Sequence, residues 1–226
     1  MKKENLKKVV ITSVFAAIAF LLTFLFRFKV SFLTFDFKDA ILAMVSLMYG
    51  PLYGVSAAAV VAFLEFLSVS DTGLYGLIMN FISSGTFTLI FGLVYKYKRT
   101  FGGAIASVVL SVIGVTLVMI IANYFITPYY MTGVGRSAVV ALIPTLLLPF
   151  NLAKSTINAA ATLILYKPIT NALRRIGVLK KKDSSSNKLS AKTVIMYISA
   201  VLVGVLAIIV VISLLNGKLE WLPHLK

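Results

Sequence analysis

The sequence predicts an all-α membrane protein, a bundle of six helices followed by a seventh, C-terminal transmembrane helix. Three observations carry this expectation. Of the 226 residues, 60% are hydrophobic and 13% charged, with a mean hydropathy of +0.99, whereas soluble domains sit near half apolar and about a quarter charged. The apolar residues fall into runs near the roughly 20 that a span requires, enough for six or seven helices with short loops and no sizeable soluble core. The formal charge of +15 is carried by basic residues at the ends of these runs. Such placement is a topology signal and not a nucleic-acid surface.

Each element has its own justification. Lys2, Lys3, Lys7 and Lys8 precede an apolar run over 9–26 that ends at Arg27 without a small-residue cleavage site, so it reads as a retained first helix and not a signal peptide. On it Ser13 and Ala17, four apart, and Ala16 with Phe20 give a face small enough for another helix to approach. Residues 27–38 set Phe28, Phe32, Phe35 and Phe37 among Lys29, Asp36 and Lys38, as expected of an interfacial segment or a lid. A second span over 39–49 is broken by Gly50-Pro51. The third covers 52–67, with Glu65 near its end read as an interfacial carboxylate and a pocket-facing role as the alternative.

A polar loop over 68–73 leads to a fourth span, 74–95, which carries Asn80, Ser83, Ser84 and Gly85 and closes on Lys96, Lys98 and Arg99. Gly102-Gly103 opens the fifth, running to about 125 and on into Asn123-Tyr124-Phe125 and Pro128-Tyr129-Tyr130. Tyrosines there fit an aromatic belt. An apolar segment over 138–148 is expected to stop at Pro149, with the sixth helix proper over 151–166. The resulting domains are a six-helix membrane domain at 1–178, a basic, Ser-rich linker at 179–192, and an extra helix with a short tail at 193–226.

Orientation follows from the positive charges. With the N-terminus in the cytoplasm, the N-terminal lysines, the cluster at 96–99 and the basic stretch at 167–192 all fall inside. Only Arg27, Lys29, Lys38, Arg136, Lys218 and Lys226 fall outside. The expected location is thus a multi-pass position in the cell membrane, with the 128–137 loop and the 149–154 stretch at the exterior end.

That stretch, Pro149-Phe150-Asn151-Leu152-Ala153-Lys154, places an amide and an ammonium on one helix face. An ionisable group inside an apolar span must be paired, solvated or used, although a lysine near a helix end can also snorkel to the headgroups. Asn80, Asn123, Asn151 and Lys154 among Leu, Phe, Tyr and Met suit a small, partly apolar ligand, whose carbonyl and N–H edge facing amides can read. An acidic ligand would also suit Lys154. Nothing points to catalysis. The chain has no cysteine and a single histidine, His224, no paired carboxylates and no phosphate-cradling glycine loop, so no metal site and no cofactor is expected. A membrane scaffold whose amides only join helices is the rival reading.

The motifs Phe35-Asp36-Phe37-Lys38-Asp39, Leu47-Met48-Tyr49-Gly50-Pro51-Leu52-Tyr53-Gly54, Asn80-Phe81, Asn123-Tyr124-Phe125 with Pro128, and Pro149 through Lys154 together resemble the substrate-binding S-components of energy-coupling factor (ECF) vitamin transporters. The likeness covers about residues 8–170 and is greatest to the riboflavin-specific branch. It implies flavin contacts by Asn123, Asn151 and Lys154, and a docking face for a membrane T-component that includes Ser13 and Ala17. It further implies capture of the vitamin from outside, closure of the outer loops, and uptake driven by the T-component and two cytoplasmic ATPases. The third helix departs from that branch, with Ala58, Val61 and Ala62 where a Glu and a Lys-Asn pair are usual, and the seventh helix is extra to a six-helix family. Pantothenate and folate are the alternative vitamins.

Overall fold

The computed structural model describes residues 2–98, 100–179, 191–214 and 220–221. Most of the expected linker, at 180–190, and Arg99 lie outside the described residues. Helix α1 (Lys2–Leu25) is followed by a hairpin, β1 (Phe28–Val30) and β2 (Leu33–Phe35), then α2 (Lys38–Tyr49), α3 (Pro51–Ser68), α4 (Gly73–Tyr97) and α5 (Phe101–Tyr130). Helix α6 (Arg136–Leu142) passes through a π-helical turn, Ile143–Leu147, into α7 (Leu148–Arg175), and α8 (Ala191–Leu214) and a short β3 (Glu220–Trp221) complete the order.

Among the described residues five helical stretches are long and apolar enough to cross a membrane: Glu4–Leu25, Pro51–Ser68, Gly73–Tyr97, Gly102–Tyr130 and Arg136–Arg175. Helix α2 is not, because its 12 residues reach only about 18 Å at 1.5 Å per residue. The hairpin makes up the difference. Val30, Leu33 and Phe35 pack with Val139, Leu147, Phe150, Ala153 and Ile157, so the chain folds down against α6 and α7 before α2 begins. The hairpin turn is two residues long, with Val30 opposite Leu33 and Ser31 at φ 58°, the positive φ that tight hairpins demand.

Two expectations about boundaries change. Pro149 does not end a helix: α6, the π turn and α7 form one span of 40 residues. In lipid a freed carbonyl has no water to turn to, and a local π adjustment re-satisfies the backbone around the proline. Likewise α5 continues through Pro128 to Tyr130 and α7 through Pro168 to Arg175, well past the 125 and 166 read from the sequence.

At one end of the bundle, Lys7 Nζ donates to Gly177 O at 2.8 Å, tying the start of α1 to the end of α7. Near that end α2, α3 and α4 pack closely, where a Cβ on Gly54 would lie 1.9 Å from Ser46 Oγ and one on Gly92 2.8 Å from Ser46 Cβ. Gly50, at φ 105°, makes the reversal from α2 to α3, and Pro51 opens α3 at a position where its missing N–H costs nothing. Helix α8 lies along α7, with Gly204 facing Ala160. Its Ala207 and Val211 join the apolar cluster around the hairpin, and β3 adds to the free edge of β1 to give the order β2-β1-β3.

Candidate ligand-binding site

The opposite end of the bundle holds a cavity of about 300 Å³ beneath the hairpin. The hairpin segment supplies Arg27, Lys29, Phe32, Leu33, Thr34 and Asp36, α3 supplies Glu65, α4 supplies Met79, Asn80 and Ser83, and α7 supplies Phe150, Asn151 and Lys154. Ionic contacts hold these elements together. Lys154 Nζ lies 2.9 Å from Asp36 Oδ2 and donates to Thr34 O at 3.0 Å, fastening α7 to the hairpin. Lys38 Nζ meets both Glu65 oxygens at 2.8 Å and Asp36 Oδ2 at 3.4 Å. Asn80 Nδ2 donates to Glu65 Oε2 at 2.8 Å, bringing α4 into the same network.

All the charged members of this network are buried, Asp36 and Glu65 to 1% exposure, Lys38 to 2% and Lys154 to 8%, with Asp39 beside them at 2%. Breaking a buried pair costs about 3–5 kcal/mol, because the remaining charge has lost both water and partner. The backbone is tied in as well. Asn158 accepts from Ala40 N at 3.0 Å, satisfying one of the otherwise unpaired amides at the start of α2, and donates to Asp36 O at 3.0 Å. On the far side Arg27 donates to Val69 O at 2.5 Å and Lys29 meets Asp71 at 2.7 Å, so the hairpin is also moored to the loop between α3 and α4.

The residues singled out in the sequence part company here. Lys154, Asn151 and Asn80 line the cavity. Asn123 does not: fully buried, it donates to Met119 O at 2.7 Å and accepts from Thr127 Oγ1 at 2.9 Å, within its own helix, while its neighbours Met119 and Tyr130 reach the cavity wall. Asn151 Nδ2 is also turned to its own helix, at Leu147 O, 2.7 Å. Ser13 and Ala17 are exposed on the outer face of α1, whereas Ala16 and Ala19 face the core.

Glu65 corrects its first expectation. It is not an interfacial carboxylate, because the hairpin covers that end of α3 and turns what would be an interface into an interior. Sequence reasoning also missed Asp36, Lys38 and Asn158 as members of the site. A signal was available in the clustering of Asp36, Lys38 and Asp39 directly before an apolar helix, since three charges there must either reach water or pair. For Asn158 there was none, as its partners lie some 120 positions away.

A family model described as ECF transporter, substrate-specific component, matches residues 7–166. The chain is an ECF substrate-specific component. This S-component is 30% identical over 187 residues to the riboflavin transporter RibU of Staphylococcus aureus (strain TCH60), covering 78% of its own length and 97% of the relative's. It is 31% identical over 164 residues to the riboflavin transporter FmnP of Bacillus subtilis (strain 168), covering 68% and 86%. A solved structure described as "Structure and mechanism of the S component of a bacterial ECF transporter" superposes with a TM-score of 0.63 at 31% identity, covering 76% of the S-component and 99% of that chain. Helix α8 lies beyond the matched 7–166. The S-component is a transporter subunit and not an enzyme.

Proposed function

We propose that this S-component binds riboflavin at the exterior end of the bundle and delivers it for ATP-driven uptake. It would do so with its N-terminus in the cytoplasm and in complex with a membrane T-component and two cytoplasmic ATPases. The observation that carries the choice of ligand is the charge balance of the cavity. Each cation that lines it already has an acidic partner: Lys154 has Asp36, Lys38 has Glu65 and Asp36, and Arg27 and Lys29 have Asp71. A pantothenate or folate carboxylate would have to displace one of these partners. Riboflavin is uncharged and carries ring carbonyls, a ring N–H and a hydroxylated chain, which such a set of paired ions and amides can meet one hydrogen bond at a time. Buried polar groups left unmet cost a few kcal/mol each, which is the source of discrimination.

The two riboflavin transporters at about 30% identity support the same ligand. The positions of Lys154, Asn151 and Asn80 on the cavity wall support their roles as contacts, with Asn123 acting from behind Met119 and Tyr130. The T-component would dock on the outward face of α1 that includes Ser13 and Ala17, where small residues let helices approach. The hairpin over 28–35 would serve as the lid, released when the Lys154 and Arg27 contacts open.

The test is the visible absorption spectrum of the protein purified from cells grown in rich medium. Flavin bands that survive dialysis are expected. A colourless protein that also fails to quench added riboflavin contradicts the assignment.

A further inference from the structure

We propose that a groove at the end of the bundle opposite the ligand cavity binds an anionic phospholipid, its headgroup phosphate held by Lys7, Lys8 and Arg174 and its chains lying on the groove's apolar wall. The inference is independent of the riboflavin reading, since it involves neither the cavity nor the hairpin. Two observations carry it, the way the groove is built and the charge left unpaired on its walls.

The groove exists because α2 is short. Helix α2 stops at Tyr49, and its last residues Met48 and Tyr49 pack in the same apolar cluster as Ile11 of α1 and Ile169 and Leu173 of α7. Beyond that layer the first turns of α1 and the end of α7 flank an open space of about 710 Å³. Gly177, at φ 73°, turns the chain back after α7, and Val178 N and Leu179 N donate to Leu173 O at 2.8 and 3.1 Å. Val178 and Leu179 thereby join Leu47 and Met48 in the groove wall. The cations stand within about a turn of the ends of two membrane-long stretches, Glu4–Leu25 and Arg136–Arg175, which is where headgroups meet the hydrocarbon. An amphiphile with an anionic head and apolar chains matches both parts of such a groove, whereas a soluble anion would leave the apolar part uncovered.

The charge of the groove is unlike that of the ligand cavity. There each lining cation has an acidic partner. Here three cations share the wall with one carboxylate, Glu4, and among the described residues no ion pair forms at Lys7, Lys8 or Arg174. Lys7 Nζ donates to Gly177 O at 2.8 Å and Arg174 to Asn171 Oδ1 at 3.4 Å, both neutral acceptors, so the positive charge is not cancelled. Lys8 and Arg174 are half-buried, which leaves them less screened than free surface groups. A phosphate offers several acceptor oxygens and can take charge-assisted hydrogen bonds from α1 and α7 at once, bridging the two helices where α2 no longer separates them. Basic pockets between membrane helices attract anionic headgroups for this reason.

The experiment follows the thermal midpoint of the full-length protein in maltoside micelles, which rises with any ligand that binds the folded state. Phosphatidylglycerol, phosphatidylcholine with the same chains, and glycerol 3-phosphate are titrated in turn. The proteins are the parent, Lys8→Gln with Arg174→Gln, and Lys96→Gln with Lys98→Gln. The last removes equal charge outside the groove at the same end, where Tyr95 of α4 meets Tyr166 of the groove wall. The parent is expected to respond to phosphatidylglycerol at a concentration tenfold or more below that needed for phosphatidylcholine, and to show no shift with glycerol 3-phosphate at a hundredfold excess. The groove variant should respond to the two lipids within about twofold of each other, while the Lys96 and Lys98 variant keeps the parent's preference. A parent indifferent to the headgroup overturns the proposal, and needs no variant to fold. Glycerol 3-phosphate acting as well as the lipid overturns it in favour of a soluble phosphate. A groove variant that keeps the preference, or a control variant that loses it equally, overturns it in favour of general attraction to a basic end.

Discussion

The two ends of the bundle are built on opposite principles. At the end that holds the cavity, Asp36, Lys38, Asp39, Glu65 and Lys154 are buried together, and much of the backbone is hairpin or helix start. At the other, α2, α3 and α4 close on Ser46, Gly54 and Gly92 with Ala57 and Ala58 almost fully buried beside them, and Ser46 Oγ donates to Thr88 O at 2.9 Å. Helix α2 belongs to both, since its first two residues are ionic and the next ten are apolar but for Ser46. The contrast teaches a division of labour. Close-packed small residues have one low-energy arrangement and resist deformation. A network of paired ions can exchange a protein partner for a ligand partner with little change in shape.

Perturbations at the two ends should therefore fail differently. The largest effect is expected from Glu65→Ala, which leaves Lys38 buried with only the more distant Asp36 contact. A loss of about 3–5 kcal/mol is anticipated, read as a drop in the thermal midpoint in detergent, and an unchanged midpoint would mean that water reaches Lys38. Next is Gly54→Val at the packed end, where even a Cβ meets Ser46 Oγ. Overpacking of about 1–3 kcal/mol is expected, partly recovered in a double variant with Ser46→Gly. Riboflavin affinity of the folded fraction should stay within about twofold of the parent, because the cavity proposed as the site is at the other end, and a large loss of affinity would break the division. A smaller effect, about 1–3 kcal/mol for leaving Ala40 N unpaired, is expected from Asn158→Ala. In this case stability and ligand affinity should fall together, since the same amide orders Asp36. Affinity unchanged at lowered stability would detach α2 from the site.

The legibility of the molecule in its sequence followed the same division. The helices were readable because each apolar run is long and the positive charges mark its ends. Among the described residues seven helices emerge once α6, the π turn and α7 are taken as one, and five of them are long and apolar enough to cross a membrane. The hairpin was not, because four phenylalanines among charges suit an interface as well as a folded strand pair, and nothing local distinguishes the two. Pro149 misled for a related reason. Its effect on a helix depends on whether neighbours and a π turn can absorb the lost hydrogen bond, which is a property of the bundle. Of the site, Lys154 and Asn151 stood out as polar groups where lipid would penalise them, and Asn80 as an amide in a span. Asp36, Lys38 and Glu65 did not, because each lies close to an apparent loop, where a charge normally needs no explanation.

The measurement to make first is a riboflavin fluorescence titration of the parent and Lys154→Ala side by side, with thermal midpoints recorded for both. Lys154 is the group that joins cavity, hairpin and α7, so its loss should weaken binding by tenfold or more, about 1.4 kcal/mol or greater, in a protein that still expresses and unfolds cooperatively. A folded variant that binds riboflavin as the parent does would remove Lys154 from the site and with it the cavity beneath the hairpin as the place of capture.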